Sequence, residues 1–296
     1  MDSTSENLAP ESMLLSIVIP AHNEAAVIVR CLNALLSDSR EDEMEIIVVC
    51  NGCSDNTAEL ARGFGTPVHV IETDVASKTA AFNLGDLAAT GYPRFYMDAD
   101  VIIGIASVRK IASVLEQGQV LAASPQPIDI FLPETSWAVR AYYRFWTSLP
   151  YIREGMIAAG IYALSRTGRL RFGVFPGLIA DDGYVRMLFH ASERLQVADA
   201  VSEVIAPRTF QDLLKVRMRI RRGIFQLREL YPELMRRDAS TKHYFRALMS
   251  VLSRPSFYLP ALVYGYVLFA SWIGARTQLQ TNTMNVWERD ESSRKV

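Results

Sequence analysis

The feature that most constrains the fold of this 296-residue chain is an alternation of short apolar runs with segments of helical periodicity in its first hundred residues. Each run is rich in β-branched residues, which is typical of buried strands. The segments between the runs have about 10–12 residues with apolar side chains at helical spacing. Strands alternating with such helices form a mostly parallel sheet covered on both faces, so the predicted fold class is α/β. The predicted strands are 14–19, 45–49, 68–71 and 95–97.

Polar residues follow three of these strands, at the point where each strand ends. His22–Glu24 follows the first strand, Asn51–Asp55 the second, and Asp98 and Asp100 the fourth. Ligands of parallel α/β sheets bind beyond the carboxyl ends of the strands, so these clusters predict a nucleotide site on one rim. The rim has neither a Gly-x-Gly-x-x-Gly turn nor a Gly-x-x-x-x-Gly-Lys loop, which argues against a dinucleotide site and a P-loop.

Asp98 and Asp100 close the fourth apolar run. In a strand, residues i and i+2 point to the same face, so the two carboxylates are expected to converge. Carboxylate oxygens suit Mg2+ or Mn2+, and such an ion usually shares its coordination sphere with phosphate oxygens. A pair of solvated turn carboxylates is the alternative.

Three segments together resemble the family 2 glycosyltransferases with the GT-A fold: 16–24, 48–57 and 98–100. The motifs occur in the order and spacing of that family, and the resemblance covers roughly residues 14–225. It implies a single Rossmann-like GT-A catalytic domain and a nucleotide-sugar donor. It also implies Mg2+ or Mn2+ on the Asp-x-Asp motif and an inverting single displacement.

The same resemblance assigns the nucleotide side of the site. Asp100 would be the direct metal ligand, and Asp98 would approach the ribose or the metal. The family commonly has an aspartate at the position of Asn51, and an amide can donate as well as accept a hydrogen bond. Uridine diphosphate is therefore favoured, without being fixed, as the leaving nucleotide. The alternative for Lys78 is a solvated lysine at a helix start. The residues assigned to the nucleotide are Pro20, Ala21, Glu24, Asn51, Lys78 and Asp98.

Asp181 and Asp182 open a predicted helix. The family has a Glu-Asp or Asp-Asp pair here whose second carboxylate is the general base, so Asp182 is the predicted base. Glycosyl transfer to an alcohol needs a carboxylate that accepts the hydroxyl proton. Two adjacent acids also repel, which raises the proton affinity of one of them. Acids that complement the helix dipole are the alternative. Weaker candidates for contact with the acceptor or the diphosphate are Asp181, Arg219, Arg222 and Trp146.

Residues 207–246 hold 11 basic and 4 acidic residues, about +7, in a chain whose net charge is −1. A basic amphipathic helix of this kind suits anionic phospholipid headgroups or a polyprenyl-diphosphate acceptor. The segment resembles the place where processive family members have Gln-x-x-Arg-Trp, but here Val216, Arg219 and Ile220 occupy that motif. A single-addition transferase is therefore favoured. A solvated basic face is the alternative for Arg219 and Arg222.

Residues 255–275 contain no charged side chain and are long enough to cross a bilayer. They predict a membrane-associated segment, spanning or in-plane, with a buried helix of a soluble protein as the alternative. The predicted organisation is a catalytic domain at 1–206 and a helical C-terminal region, basic and then apolar, at 207–296.

Three cysteines do not make a disulfide framework, and the polar, acidic residues 1–12 lack the features of a secretory signal. The predicted location is the cytoplasm, at the inner face of the cell membrane. Cys50 and Cys53 have the spacing of a redox pair or half a zinc site, but a packing role is favoured because no second pair is nearby. The balanced charge argues against a nucleic-acid partner.

The predicted function is an inverting transfer of sugar from a nucleotide-diphosphate sugar to a hydroxyl of a lipid-linked or saccharide acceptor, in cell-envelope or exopolysaccharide synthesis. One alternative is a non-catalytic nucleotide-binding or membrane scaffold subunit of a polysaccharide assembly complex. Another is a sugar-phosphate nucleotidyltransferase, which would open with a Gly-rich basic loop where this chain has Pro20–Glu24. Donor sugar, acceptor, linkage and oligomeric state are not encoded in a readable pattern.

Overall fold

The computed structural model describes residues 14–149, 159–237 and 254–280. The predicted segments at 1–12 and beyond 280 lie outside the described residues, as does part of the basic segment, 238–246. Within the described residues the strands are Leu15–Ala21 (β1), Met44–Asn51 (β2), Val68–Thr73 (β3), Arg94–Met97 (β4), Ile102–Ile103 (β5), Ala122–Ile130 (β6), Ile161–Leu164 (β7) and Arg194–Ile205 (β8).

Helices alternate with these strands through the first half of the chain, as predicted. Within the described residues, short 3-10 turns at 191–193 and 255–257 precede β8 and the helix that begins at Tyr258. The helices are Ile28–Leu36 (α1), Thr57–Arg62 (α2), Lys78–Ala88 (α3), Ile105–Glu116 (α4), Trp137–Trp146 (α5), Arg166–Arg169 (α6), Asp181–Leu188 (α7), Phe210–Leu230 (α8), Pro232–Arg237 (α9) and Tyr258–Gln280 (α10).

The described strands form one mixed, mostly parallel sheet in the order β3-β2-β1-β4-β7-β6-β8-β5. The first four of these are mutually parallel, so their carboxyl ends share one edge. β7 runs antiparallel between β4 and β6, which brings its amino end to that same edge. The predicted α/β class is confirmed, and the four predicted strands are present with ends shifted by a few residues.

β8 was not expected from the sequence. It pairs with β6 along most of its length, and the register shifts between Pro125 and Gln126. Its exposed and half-buried positions mix polar side chains, such as Arg194 and Asp199, with apolar ones, such as Leu195, so it lacks the continuous apolar run that marks β1 and β2. The shift in register accommodates Pro125 and Pro127 in β6, because a proline cannot donate to a regular ladder.

The sheet is covered on both faces, which explains why β1 is apolar at almost every position. Ile17 and Ile19 face the core shared with α1, α2 and α4, whereas Val18 faces the core shared with α3 and α7. A third core joins α5, α8 and α10. Because α5 precedes residue 207, this third core crosses the predicted boundary, and the division into 1–206 and 207–296 stays a prediction.

A buried carboxylate, Asp86, fixes α3 against the sheet. Its Oδ1 accepts hydrogen bonds from Arg94 Nη1 at 2.6 Å and from the Tyr96 hydroxyl, and its Oδ2 accepts from Arg169 Nη2 at 2.6 Å. The side chain is only 13% exposed. Burial alone would raise the pKa of Asp86, but the hydrogen bonds from Arg169, Tyr96 and Arg94 lower it below its ordinary value.

Replacing Asp86 by asparagine should destabilise the protein by roughly 3 kcal/mol at pH 7, because two arginines lose their buried partner. When folding lowers the pKa of a carboxyl group, the ionised group stabilises the folded protein at pH values above its unfolded pKa. That contribution to the free energy of unfolding is lost as the pH falls through the folded pKa. The difference between wild type and D86N should therefore shrink below about pH 4. Urea unfolding from pH 7 down to about pH 2.5 covers this range, with D74N, at an exposed position, as the control. An equal loss in D74N, or a loss that does not change with pH, would contradict this role.

Candidate active site

The carboxyl ends of β1, β2 and β4 meet the amino end of β7 at one edge of the sheet. The backbone N–H of Asp98 donates to the carbonyl of Gly160 at 2.7 Å. Gly160 has φ +78°, and a Cβ there would lie 2.7 Å from Val101 Cγ2 and 3.4 Å from Asp98 Oδ2. Glycine is required at this position because the backbone must pass directly beside the Asp98 carboxylate.

Lys78 links the two acidic motifs. Its Nζ lies 2.7 Å from Asp98 Oδ1 and 3.1 Å from Asp181 Oδ1, and its side chain is 20% exposed. Burial would lower the pKa of Lys78, but the carboxylates of Asp181, Asp98 and Asp182 raise it above its ordinary value. Lys78 is therefore a fixed cation between three acids, and the alternative of a solvated lysine at a helix start is wrong.

The helix α7 begins with the acidic pair, and its two members differ in environment. Asp181 is 3% exposed, and its Oδ2 has no hydrogen-bond partner among the described residues. Asp182 is half-buried, and its Oδ1 accepts from the N–H of Gly183 at 2.6 Å. Burial and the charges of Asp182 and Asp98 raise the pKa of Asp181 to about 6, partly offset by Lys78. Asp182 is the member of the pair with the greater access to solvent.

A small cleft brings these groups together. It contains Lys78 and Asp98 from one side of the rim and the pair Asp181 and Asp182 from the other, although about 80 to 100 positions separate them in sequence. Aromatic side chains form much of its remaining wall. The residues that line the cleft are Lys78, Phe82, Tyr96, Asp98, Gly160, Ile161, Tyr162, Asp181 and Asp182.

Asp98 and Asp100 lie in a turn and not on a strand. β4 ends at Met97, and the N–H of Val101 donates back to the carbonyl of Asp98 at 3.2 Å. The expectation that the two carboxylates share one strand face is therefore wrong. Among the described residues, no group of three or more His, Cys, Asp and Glu side chains is placed to hold a metal ion. A pair of carboxylates fits Mg2+ or Mn2+ when phosphate and water complete the coordination sphere.

The residues predicted to line the nucleoside lie at the ends of β1 and β2. Pro20, Ala21 and Glu24 are buried. Asn51 is fully buried, and in its satisfied orientation the amide nitrogen donates to the carbonyl of Ala21 at 2.8 Å while the amide oxygen accepts from the N–H of Ser77 at 3.2 Å. Asn51 therefore joins β1 and β2 to the start of α3, and its contact with a base stays a prediction.

Cys50, near the end of β2, and Cys53, in the loop that follows, are free thiols. Cys50 is buried, and Cys53 Sγ donates to the carbonyl of Ala21 and accepts from the N–H of Asn23, both at 3.3 Å. These contacts fit the favoured packing role.

The basic helix α8 packs against the loop that leads to the acidic pair. A Cβ at Gly223 would lie 2.7 Å from Ala180 Cβ, so the two backbones are in close contact. The N–H of Ile179 donates to Gln226 Oε1 at 2.9 Å, and Gln226 Nε2 donates to the carbonyl of Gly177 at 3.2 Å. Sequence reasoning missed Gln226, because a single glutamine on a basic helix gives no signal of what it will contact.

The weaker candidates on α5 and α8 lie outside the lining of the described cleft. Arg222 is 1% exposed, so a solvated face is wrong for this residue, and Arg219 is half-buried. Trp146 packs in the third core, with the Arg217 guanidinium 4.6 Å from its ring centre. Contact of these three residues with an acceptor or a diphosphate stays a prediction.

The model of Glycosyl transferase family 2 matches residues 16–173 of this chain. The chain belongs to that family. Glycosyltransferase AglE of Haloferax volcanii is 36% identical over 91 residues, 29% of this chain and 30% of AglE. The uncharacterized glycosyltransferase EpsJ of Bacillus subtilis is 29% identical over 110 residues, 36% of this chain and 32% of EpsJ. The chain thus spans about a third of the length of these curated relatives.

Solved structures support the GT-A fold. Mannosyltransferase PcManGT from Pyrobaculum calidifontis, solved with GDP-Man and Mn2+, has a TM-score of 0.59 at 19% identity, over 94% of this chain and 79% of that one. TarS of S. aureus has a TM-score of 0.52 at 13% identity, over 80% of this chain and 44% of TarS. The predicted family and fold are both confirmed.

Proposed function

We propose that this chain is an inverting, metal-dependent glycosyltransferase that moves a sugar from a nucleotide-diphosphate sugar, with UDP favoured, to a hydroxyl of a lipid-linked or saccharide acceptor. The proposal extends to a role in cell-envelope or exopolysaccharide synthesis. The observation that supports it most is the cleft in which Lys78 joins Asp98 to the pair Asp181 and Asp182. A cation, the metal-binding motif and a base candidate are the parts that this reaction needs in one place.

Asp100 and Asp98 are the proposed ligands of Mg2+ or Mn2+. Such an ion, bound with the donor, would neutralise the charge that grows on the leaving diphosphate. PcManGT was solved with Mn2+, which favours the same use here. Lys78 supplies a second positive charge on this side of the cleft. Its fixed position beside Asp98 allows it to contact the diphosphate without reorganisation, which is how preorganised charge lowers a barrier.

Asp182 is the proposed general base. It accepts the proton of the acceptor hydroxyl while the oxygen attacks the anomeric carbon from the side opposite the diphosphate, and the configuration inverts. Asp181 is paired with Lys78 through its Oδ1, whereas Asp182 is the more solvent-accessible member of the pair. Gln226 and Gly223 of α8 contact the loop 177–180. These contacts fix the position of that loop, and with it the position of the acidic pair that follows.

The nucleoside is proposed to lie over the ends of β1 and β2. Pro20, Ala21 and Glu24 form its wall, and Asn51 contacts the base directly or shapes the loop that does so. Arg219 and Arg222 of α8 remain proposed contacts of the diphosphate or the acceptor.

The helix α10 supports the proposed location at the inner face of the cell membrane. Within the described residues one helical segment, Pro255–Gln278, is long and apolar enough to cross a membrane. One face of α10 packs on α5 and α8 through Tyr264, Val267 and Ala275. The opposite face exposes large apolar side chains to solvent. They are Tyr258, Leu259, Leu262, Tyr266, Phe269 and Ile273.

An in-plane position fits this arrangement better than a span. The buried positions recur from Pro260 to Ala275, so α10 is packed on other helices along most of its length. If it crossed a bilayer, α8 would enter the apolar layer with its exposed Lys215 and Arg228. With α10 lying in the interface, the apolar face enters the lipid and the basic residues of α8 stay near the headgroups.

The variant D182N should lose about 100-fold or more in transfer rate, because general-base catalysis is worth about that factor. Binding of the nucleotide diphosphate should remain within twofold. Steady-state transfer, read as released nucleotide diphosphate, and calorimetric binding measure the two quantities. Full activity of D182N would show that Asp182 is not the base. Absence of turnover by the wild type over a panel of nucleotide sugars would instead favour a scaffold subunit.

Nucleotide diphosphate binding should depend on Mn2+, and the variant D100N should abolish that dependence. Thermal shifts with the uridine, guanosine and thymidine diphosphates, each with and without Mn2+, measure this. UDP should give the largest metal-dependent shift. The variant D55N, on the same rim but outside the proposed metal ligands, is the matched control and should keep the metal dependence. Equal shifts with and without Mn2+ would contradict the metal assignment.

Binding to anionic vesicles should need the exposed face of α10. The double variant L262S/F269S should sediment less with phosphatidylglycerol–phosphatidylcholine vesicles than the wild type, because it loses apolar area that enters the lipid. Leu87 and Leu170 are at least as exposed as Leu262 and Phe269 but lie on α3 and after α6. L87S/L170S is therefore the matched control, and a similar loss in both double variants would contradict a docking role for α10.

A further inference from the structure

The hydroxyl of Tyr162 is buried without a partner. Tyr162 lies on β7 and is 2% exposed, and its Oη has no hydrogen-bond partner among the described residues. Nearly all buried hydroxyls in native proteins are hydrogen-bonded, so an unpartnered one points to a missing group. This hydroxyl belongs to a residue that lines the cleft.

The neighbouring Tyr96 provides the contrast. Tyr96 pairs with Tyr162 across β4 and β7, and the two rings stack with centres 5.3 Å apart. Both side chains are buried to a similar degree and both line the cleft. The hydroxyl of Tyr96 donates to Asp86 Oδ1, whereas that of Tyr162 has no such acceptor. Packing of the ring therefore does not require the Tyr162 hydroxyl.

A second unpartnered atom lies in the same cleft. Asp181 Oδ1 contacts Lys78, but Asp181 Oδ2 is buried without a hydrogen-bond partner among the described residues. A tyrosine hydroxyl donates one hydrogen bond and accepts others, and a carboxylate oxygen only accepts. An alcohol within hydrogen-bond distance of both atoms would satisfy them at once, since it can accept from the tyrosine and donate to the carboxylate.

We propose that Tyr162 Oη and Asp181 Oδ2 together bind one hydroxyl of the donor sugar. The inference rests on the proposed function, because that function places the sugar between the diphosphate at Asp98 and the base Asp182. Both unpartnered atoms belong to residues of the cleft that holds those two groups. The ligand class is the polyhydroxylated ring of a nucleotide sugar, and Tyr162 determines which ring is accepted.

This arrangement gives a physical basis for selectivity. A donor that lacks the recognised hydroxyl would leave the two buried atoms unpaired inside a closed cleft. Sites that hydrogen-bond a substrate hydroxyl reject analogues without it far more strongly than an apolar pocket rejects an extra group. Tyr162 is thus a specificity-determining residue, and it needs no part in the proton transfer.

The test compares Y162F with Y96F, since each removes one hydroxyl from stacked, equally buried rings. In the free protein, Y162F should keep or raise the melting temperature because it removes an unpaired polar atom. Y96F should lower it, because the Asp86 carboxylate loses a donor. If Y162F lowers the melting temperature as much as Y96F does, the hydroxyl has a partner in the free protein and the proposal is overturned.

The second readout is the contribution of the sugar to binding. Calorimetry with Mn2+ gives the affinity ratio of each sugar nucleotide to its bare diphosphate, using UDP-glucose, UDP-N-acetylglucosamine and GDP-mannose against UDP and GDP. For the donor that binds best, Y162F should reduce this ratio roughly tenfold. Binding of the bare diphosphate should stay within twofold. An unchanged ratio overturns the proposal, and means that water alone satisfies the hydroxyl.

A series of deoxy donors identifies the recognised hydroxyl. The deoxy analogue that lacks the recognised hydroxyl should bind the wild type about as weakly as the parent donor binds Y162F. The affinity of that analogue for Y162F should show no further loss. Additive losses for every analogue would overturn the proposal. If the proposed function is wrong, the result is different: the wild type binds no nucleotide diphosphate at all. That result overturns both the proposed function and the role of Tyr162.

Discussion

The ion pairs of Lys78 are the interaction on which the rest of the site depends. The rim gathers acidic side chains from the turn after β4 and from the start of α7, and their mutual repulsion would separate the two elements. Lys78 lies between them, 2.7 Å from Asp98 and 3.1 Å from Asp181. Its position is set by α3, which Ser77 caps by accepting the N–H of Ala80 and which Asp86 ties to β4 and α6. The packing of one helix therefore decides the electrostatics of the cleft.

Sequence periodicity predicted the parts of the fold that are buried on both sides. β1 and β2 are apolar along almost their whole length because helices cover both faces of the sheet, and such runs are easily recognised. β8 was missed because its apolar residues are irregularly spaced and interrupted by polar ones. The turn at Asp98 was assigned to a strand because the apolar run resumes at Val101, which hides the point where β4 ends.

The candidate site was predictable where a motif stands at a strand end, and not where tertiary contacts decide a role. Lys78, Asp98, Asp181 and Asp182 were all named from sequence, and the structure brings them into one cleft. Nothing in the sequence shows that Tyr162 is unpartnered, because that property depends on which atoms surround it after folding. The contacts of Gln226 with loop 177–180 and of Asp86 with two arginines were missed for the same reason.

The third core has a consequence for how the chain can be divided. The buried face of α5, formed by Val139, Tyr142 and Phe145, is covered by Leu213 of α8 and Tyr264 of α10. A fragment that ends at residue 206 would present this aromatic face to water, and it would also lose the contacts of Gln226 and Gly223 with the loop before α7. We therefore expect that the first two-thirds of the chain do not fold as a self-sufficient unit. The segment before residue 207 and the C-terminal helices are expected to gain and lose their structure in a single cooperative step.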